Sequence, residues 1–271
     1  MRKELLLFPL LFFGSIYTQG QGALDGYMKG RHFTDVALTY SFESYDTYFF
    51  GTEAQDISVT TQTVNLYIAH GVSNNLDLIA SIPYMWTDSL NSGLQDAILA
   101  IRFRNKRKAL SNGGYLNLMT SVGVGFPISN YPTTTAQPIG IKAISFLPRF
   151  ILQYEKNGYF LQTQTGADFR LSPTGLVSIP WIIRTGYSTG KIYADVWFDL
   201  FRSINAGVDN SVAGGEGASW GRIGGTFYVQ LNTSFGVFTG GAYNVSGRNI
   251  GQAGRVNAGL VYKWDRRPTT P

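Results

Sequence analysis

From residue 33 onward, apolar and polar residues alternate along the chain with a period of two. In the segment from Gly254 to Trp264, Val256, Ala258, Leu260, Tyr262 and Trp264 share one face of an extended strand. Arg255, Asn257, Gly259, Val261 and Lys263 share the other. One face suits hydrocarbon, the other water, and the segment ends in two aromatics two residues apart. The same alternation, punctuated by turn residues, predicts about twelve strands: 33–44, 58–70, 76–87, 95–105, 114–126, 141–155, 159–170, 179–188, 191–202, 220–232, 235–245 and 254–264. A tilted membrane strand needs about 9 to 11 residues, and these segments supply them. The predicted fold is all-β, a transmembrane antiparallel β-barrel of about twelve strands, with ten or fourteen as the alternative counts.

The connections carry a second signal. Ser73–Asn75, Lys156–Gly158, Ser188–Gly190 and Asn232–Ser234 follow even-numbered strands and are tight, with Lys106–Gly113 the longer exception. Tyr45–Ile57, Pro127–Gly140, Leu171–Ser178 and the glycine-rich Ser203–Ser219 follow odd-numbered strands and are longer. Short periplasmic turns and long outer loops are the asymmetry of outer membrane barrels, and a soluble β-sandwich has no reason to show it. Upstream, Arg2 and Lys3 precede an apolar run from Leu5 to Tyr17, followed by small residues at Thr18, Gly20 and Gly22. That pattern predicts a cleaved signal peptide over residues 1–22 and a barrel over 23–271. The run of 13 residues is shorter than the roughly 20 that a spanning helix needs.

Composition narrows the function. The chain is 44% hydrophobic, yet its mean hydropathy is −0.03, so the apolar residues are dispersed among polar ones. No cysteine is present, which removes disulfides and thiolate metal sites. The net charge of +5 falls to +4 when Arg2, Lys3 and Glu4 leave with the signal. The densest basic cluster, Arg104 to Lys108, sits beside a turn, so no nucleic-acid partner is expected.

Placing the charged phase of each strand inward gives the candidate lumen lining: Asp96, Arg102, Arg104, Arg149, Asp168, Arg184, Asp195, Asp199 and Arg222, with Asp35, Glu43, Asp77, Glu155, Arg170 and Arg255 in the same phase. Asp96, Arg102, Asp195 and Asp199 alternate most cleanly with apolar neighbours. Such charges either pair into internal ion pairs that stiffen the wall or line a solute path. The aromatics Tyr67, Tyr193, Trp197 and Tyr228 fall in the same phase. Barrels of 8 strands are filled by side chains and those of 16 to 18 hold open channels, so about twelve strands should leave a narrow conduit. The loops at 127–140 and 203–219 are long enough to fold over it.

Catalysis has little to stand on. Only His32, just before the first predicted strand, and His70, at a predicted periplasmic turn, are available as imidazole bases. Asp195 and Asp199 lie four residues apart on one strand, about 13 Å, too far for direct acid and base cooperation. Gly214–Gly217 opens no helix and reads as a surface loop, not a phosphate cradle. No cofactor, metal or enzymatic activity is expected.

The segment from His70 to Trp86, with Gly-Val-Ser-Asn-Asn-Leu-Asp leading into an apolar strand and a Pro83-Tyr84 pair, resembles the outer membrane protein family linked to the meta-cleavage pathway of phenol degradation. Ser92–Leu99 is similar to that family's following Gly-Leu-Gly-Asp strand start, and Gly123–Pro127 to its later glycine and proline segment. The resemblance covers roughly residues 65 to 170, with Gln95 in place of the usual glycine and His70 in place of the usual aromatic. It implies a barrel that assists passage of hydrophobic or aromatic compounds. Asn257, Gly259, Tyr262 and Trp264 resemble the C-terminal signal by which outer membrane proteins are recognised for insertion, here followed by Asp265–Pro271. The sequence thus points to a bacterial outer membrane channel that passes small solutes passively, hydrophobic or aromatic ones among them. Its expected partners are membrane lipid, the insertion machinery and the solute. A plugged structural or surface-interaction barrel is the alternative, and an outer membrane hydrolase a distant third.

Overall fold

A computed structural model describes residues 27–87, 91–131, 139–140, 142–172, 175–204 and 217–265. The expected signal segment, most of the Gly214–Gly217 run and the tail after Asp265 lie outside them. Twelve strands form the wall: β1 (Phe33–Phe50), β2 (Glu53–Ser73), β3 (Leu76–Thr87), β4 (Asn91–Leu94 continuing as Asp96–Ala109), β5 (Tyr115–Pro127) and β6 (Ile144–Lys156), followed by β7 (Tyr159–Gly166 continuing as Asp168–Ser172), β8 (Leu176–Ser188), β9 (Ile192–Ser203), β10 (Ser219–Gln230), β11 (Phe235–Arg248) and β12 (Ile250–Gly251 continuing as Gly254–Asp265). Each strand pairs antiparallel with its neighbours in sequence, and β12 returns to β1 in an unbroken register from Phe33↔Asp265 to Ser44↔Gly254. The ring is closed. Closure leaves no row of unpaired amides and carbonyls, which hydrocarbon does not tolerate.

The two faces invert the usual rule of burial. On the outside Leu38, Leu99, Ile101, Leu161, Val196, Val256 and Leu260 are each about half exposed or more, while Asp77, Arg102, Gln153 and Gln162 on the inside are fully enclosed. An exposed apolar belt around a polar interior means that the surrounding solvent is hydrocarbon. Trp264 and Tyr262 stand at the foot of the belt, facing out, beside Thr34 and Val36 of β1.

The predicted strands correspond to the observed ones, with corrections at three connections, of which Leu171–Ser178, expected as a longer loop, is narrowed by β7 running to Ser172 and β8 starting at Leu176. Tyr45–Ile57, expected as a long loop, is mostly strand: β1 runs to Phe50 and β2 starts at Glu53, leaving a two-residue turn at Gly51 and Thr52. Gly51 takes a φ of +60°, which a tight turn of this kind demands. Glu53, Gln55 and Asp56 suggested a loop because they are polar. They are strand residues lifted beyond the membrane, where both faces meet water, so alternation no longer marks the strand. The hairpin is held by Tyr45, Tyr48 and Val59, packed with Ala253 of the β12 segment. At 18 and 21 residues, β1 and β2 are about twice the spanning length. The strict alternation of short and long connections therefore fails there. At the other end Lys106–Gly113 shortens to residues 110–114, because β4 continues through a bulge at Arg104/Lys106 to Ala109.

The wall has a local irregularity at β6–β7. Pro148 stands mid-strand in β6 and has no amide to donate, and β7 breaks at Ala167 opposite it. The Arg149 guanidinium repairs the gap by donating to the carbonyl oxygens of Pro148 (3.0 Å) and Ala167 (2.8 Å) and to the Asp168 carboxylate.

Replacing Val196, at mid-height on the lipid face of β9, with Arg should lower the unfolding free energy by about 2–4 kcal/mol in urea titrations on lipid vesicles. An unchanged midpoint would place this face away from the bilayer.

Candidate functional site

The lumen is built in three levels, and the lowest holds the largest obstruction. Before entering β1 the chain crosses the periplasmic mouth. The backbone carbonyl of Tyr27 accepts from Arg102 Nη2 at 2.8 Å, and the amide of Lys29 donates to the Asp77 carboxylate at 3.2 and 3.3 Å. Arg102 and Asp77 pair with each other at 2.7 Å with no solvent exposure. The Tyr27 ring meets Phe160 edge-on at 5.8 Å, on β7, halfway round a twelve-strand ring from β1. Residues 27–32 thus form a bar across the barrel. Lys29 pairs with Asp35 at 2.9 Å, and the Arg31 amide donates to Asn74 Oδ1. Gly30 lies flat on Gly71: a Cβ at position 71 would sit 1.8 Å from the Gly30 carbonyl oxygen.

Above the bar, part of the inner wall is apolar. Ala69, Ile79, Ala100, Met119 and Ile151, contributed by β2 through β6, form one buried cluster against which Met28 of the bar and Tyr67 pack. Beside it Asn117, Gln153, Gln162 and Gln164 form an enclosed band of uncharged amides. Charged pairs occupy the opposite wall. Arg184 and Asp195 lie 3.1 Å apart, and Tyr193 donates to Asp195 at 2.6 Å while stacking on Phe160. Higher up, Arg255 pairs with Glu43 at 2.6 Å, Arg222 donates to Asn244 Oδ1 at 2.6 Å, and the Trp220 indole donates to Asp199 at 3.3 Å.

At the outer mouth the described residues Tyr131 and Ile139 of the β5–β6 connection turn inward. Tyr131 and Ile139 pack on Met85 of β3. Asp96 accepts from the Tyr131 hydroxyl at 2.5 Å and from the Ala143 amide at 3.1 Å. Burial, and then the adjacent Asp96 carboxylate, push the Tyr131 phenol well above its ordinary range, so it remains a hydrogen-bond donor at any physiological pH.

The sequence-derived residues separate by level. Arg102, Arg149, Asp168, Arg184, Asp195, Asp199 and Arg222 are inward and hydrogen-bonded or ion-paired, whereas Asp96 anchors the inward-folded connection at the mouth. Arg104 is at the foot of the barrel, where it braces the β2–β3 turn through Asn74 O and Asn75 Oδ1. Glu155 meets Arg107 at the same rim. Of the inward aromatics, Trp197 lies over Gly224 and Tyr228 over Gly236, each filling the space of a missing side chain. His70 is at the foot too, its Nδ1 2.8 Å from Thr34 Oγ1. Sequence reasoning missed the bar and the apolar inner patch. The patch had a signal in Leu78-Ile79-Ala80 and Phe150-Ile151-Leu152, where alternation lapses and both faces are apolar. The bar had none, since the period-two pattern begins only at Phe33.

No protein-family model and no curated protein matches this chain. Solved structures do. The COG4313 outer membrane channel from Pseudomonas putida F1 superposes with a TM-score of 0.70 at 12% identity, covering 90% of this chain and 100% of that one. The NanC porin follows with a TM-score of 0.57 at 10% identity, covering 84% and 100%. At such identities the likeness speaks to the fold: the chain is a twelve-stranded β-barrel of the bacterial outer membrane type.

Proposed function

We propose that this barrel is an outer membrane channel for small solutes with substantial apolar surface, aromatic compounds among them, gated at its periplasmic mouth by residues 27–32. The observation that carries this reading is the apolar patch of Ile79, Met119 and Ile151 on the inner wall, covered by Met28 of the bar. A conduit for ions and sugars gains nothing from such a patch, whereas an apolar solute leaving the membrane or the outer mouth would be held there by the hydrophobic effect. Channel and porin structures of the same fold support the transport role. The resemblance of residues 65–170 to the phenol-pathway family supports the solute class. The bar favours a second reading, a barrel closed for good, because its anchor is a fully buried ion pair.

Under this proposal residues 1–22 leave as a signal peptide, and Gly259, Tyr262 and Trp264 serve recognition by the insertion machinery. The inward charges, Asp195 and Asp199 included, set the polarity of the path.

Arg102→Ala unpins the bar and leaves Asp77 buried without its cation, so it should destabilise the barrel by about 3–5 kcal/mol and raise single-channel conductance in planar bilayers severalfold. A mature chain lacking residues 23–31 should conduct similarly. If both remain as silent as the parent in a demonstrably folded state, the closed barrel is correct. In liposome uptake assays Ile151→Asn combined with Met119→Gln should slow entry of phenol-sized aromatics while sparing a polar solute of equal size. Equal slowing of both would remove the apolar-solute assignment.

A further inference from the structure

On the lipid-facing surface of β8–β11, near the outer end, an open groove of about 510 Å³ runs between the strands. It exists because Ser219 and Gly221 of β10 present almost no side chain there, while Leu200 on β9 and Trp181 on β8 form one bank. The Trp181 indole N–H is bonded to Thr163 at 2.9 Å, so the ring is fixed against the wall. At the outer end of the groove, Arg202 and Arg248 stand in one cross-strand row, joined through Ser219. Both are exposed. Two strand spacings put their Cα atoms roughly 10 Å apart. Elsewhere on this outer end Phe42, Tyr84, Val124, Ile144 and Phe146 are exposed apolar residues, and the exposed Asp46, Glu53 and Asp56 of the β1–β2 hairpin are acidic. The sector that has the groove instead pairs two arginines in one outward row.

We infer that this sector is a binding site for a phosphorylated, acylated glycolipid of the outer leaflet, with headgroup phosphate on Arg202 and Arg248 and an acyl chain along the groove past Gly221. The end of the barrel fixes the leaflet: the start of β1 at Phe33, the end of β12 at Asp265 and the turns at residues 74–75, 157–158 and 189–191 lie at the opposite, periplasmic end. Charge and shape fix the chemistry. The planar guanidinium presents paired donors to phosphate oxygens, and two within reach of one headgroup match a diphosphorylated sugar better than a zwitterionic lipid. The groove beneath them is walled by the apolar side chains of Leu200 and Trp181. The site lies outside the lumen and is independent of what the barrel transports.

The test is a titration of the full mature protein, in nanodiscs of zwitterionic phospholipid, with a hexa-acylated diphosphoryl glycolipid, read by native mass spectrometry. The expected result is at least tenfold tighter binding than of the dephosphorylated glycolipid, lost in R202Q/R248Q. Ser219→Phe, which fills the groove and leaves both arginines, should weaken binding comparably. Millimolar inorganic phosphate should not displace the lipid. Equal binding of the two glycolipids, retention in R202Q/R248Q, or full displacement by inorganic phosphate would each overturn the assignment. Single-channel conductance of R202Q/R248Q should equal that of the parent, which keeps this outcome separate from the channel reading, and an unchanged heat-dependent shift in gel migration certifies that the variant is folded.

Discussion

Everything in this protein follows from the requirement that no backbone amide or carbonyl meet hydrocarbon unpaired. The twelve-residue seam between β1 and β12 satisfies it by joining the two ends of the chain into a ring. Where the ladder is irregular, at Pro148 and Ala167, an arginine side chain donates to the Ala167 carbonyl and adds a second donor to the Pro148 carbonyl, which already accepts from the Ala167 amide. The same rule explains why strand length and strand purpose differ. Within the bilayer all strands must be paired continuously, whereas β1 and β2 continue beyond it as a hairpin stabilised by its own aromatic contacts, Tyr45 with Tyr48 at 6.1 Å and Tyr48 with Phe50 at 4.6 Å.

Closure forces a second accounting on the interior. Charges excluded from the lipid face are concentrated inside, where low dielectric makes an unpaired charge costly. The wall answers with local solutions: Arg102 with Asp77, Arg149 with Asp168, Arg184 with Asp195 and Arg255 with Glu43. Because these pairs sit at different heights and on different sectors, they form no continuous ring of one sign. The lumen is left as a patchwork, with the apolar cluster of β2–β6 set between the Arg102–Asp77 and Arg149–Asp168 pairs and further ion pairs across from it. That asymmetry, more than any single residue, distinguishes this interior from a simple water-filled pipe.

Much of this was legible in the sequence because lipid and water impose opposite demands on adjacent residues. Strands such as 76–87 and 254–264 declare both faces within a dozen positions, and their phase places Arg102, Arg184 and Asp195 inward without further information. Legibility stopped where that contrast vanished. Residues 53–56 are exposed on both faces, so their polar composition resembles a loop although they are paired with β1. Arg104 keeps the inward phase of its strand but lies below the membrane, where phase no longer decides what a side chain touches. The bar of Tyr27–Gly30 is anchored to Arg102 and Asp77 through the Tyr27 carbonyl and the Lys29 amide. Backbone groups are identical at every residue, and the side-chain contacts of Tyr27, Met28 and Lys29 follow no strand period, so the pattern does not announce it.

The contact between Gly30 and Gly71 adds a consequence of its own. The bar rests on β2 with no room for one further carbon atom, so the occluded mouth depends on the absence of a methyl group at a turn-proximal position of the wall. The strand itself would accept alanine or serine there without loss of pairing. A lineage of such barrels therefore stands a single codon away from a different resting state, with its wall, seam and surface unaltered. Occlusion is in this sense the most easily revised property of the molecule, and the ring that surrounds it the least.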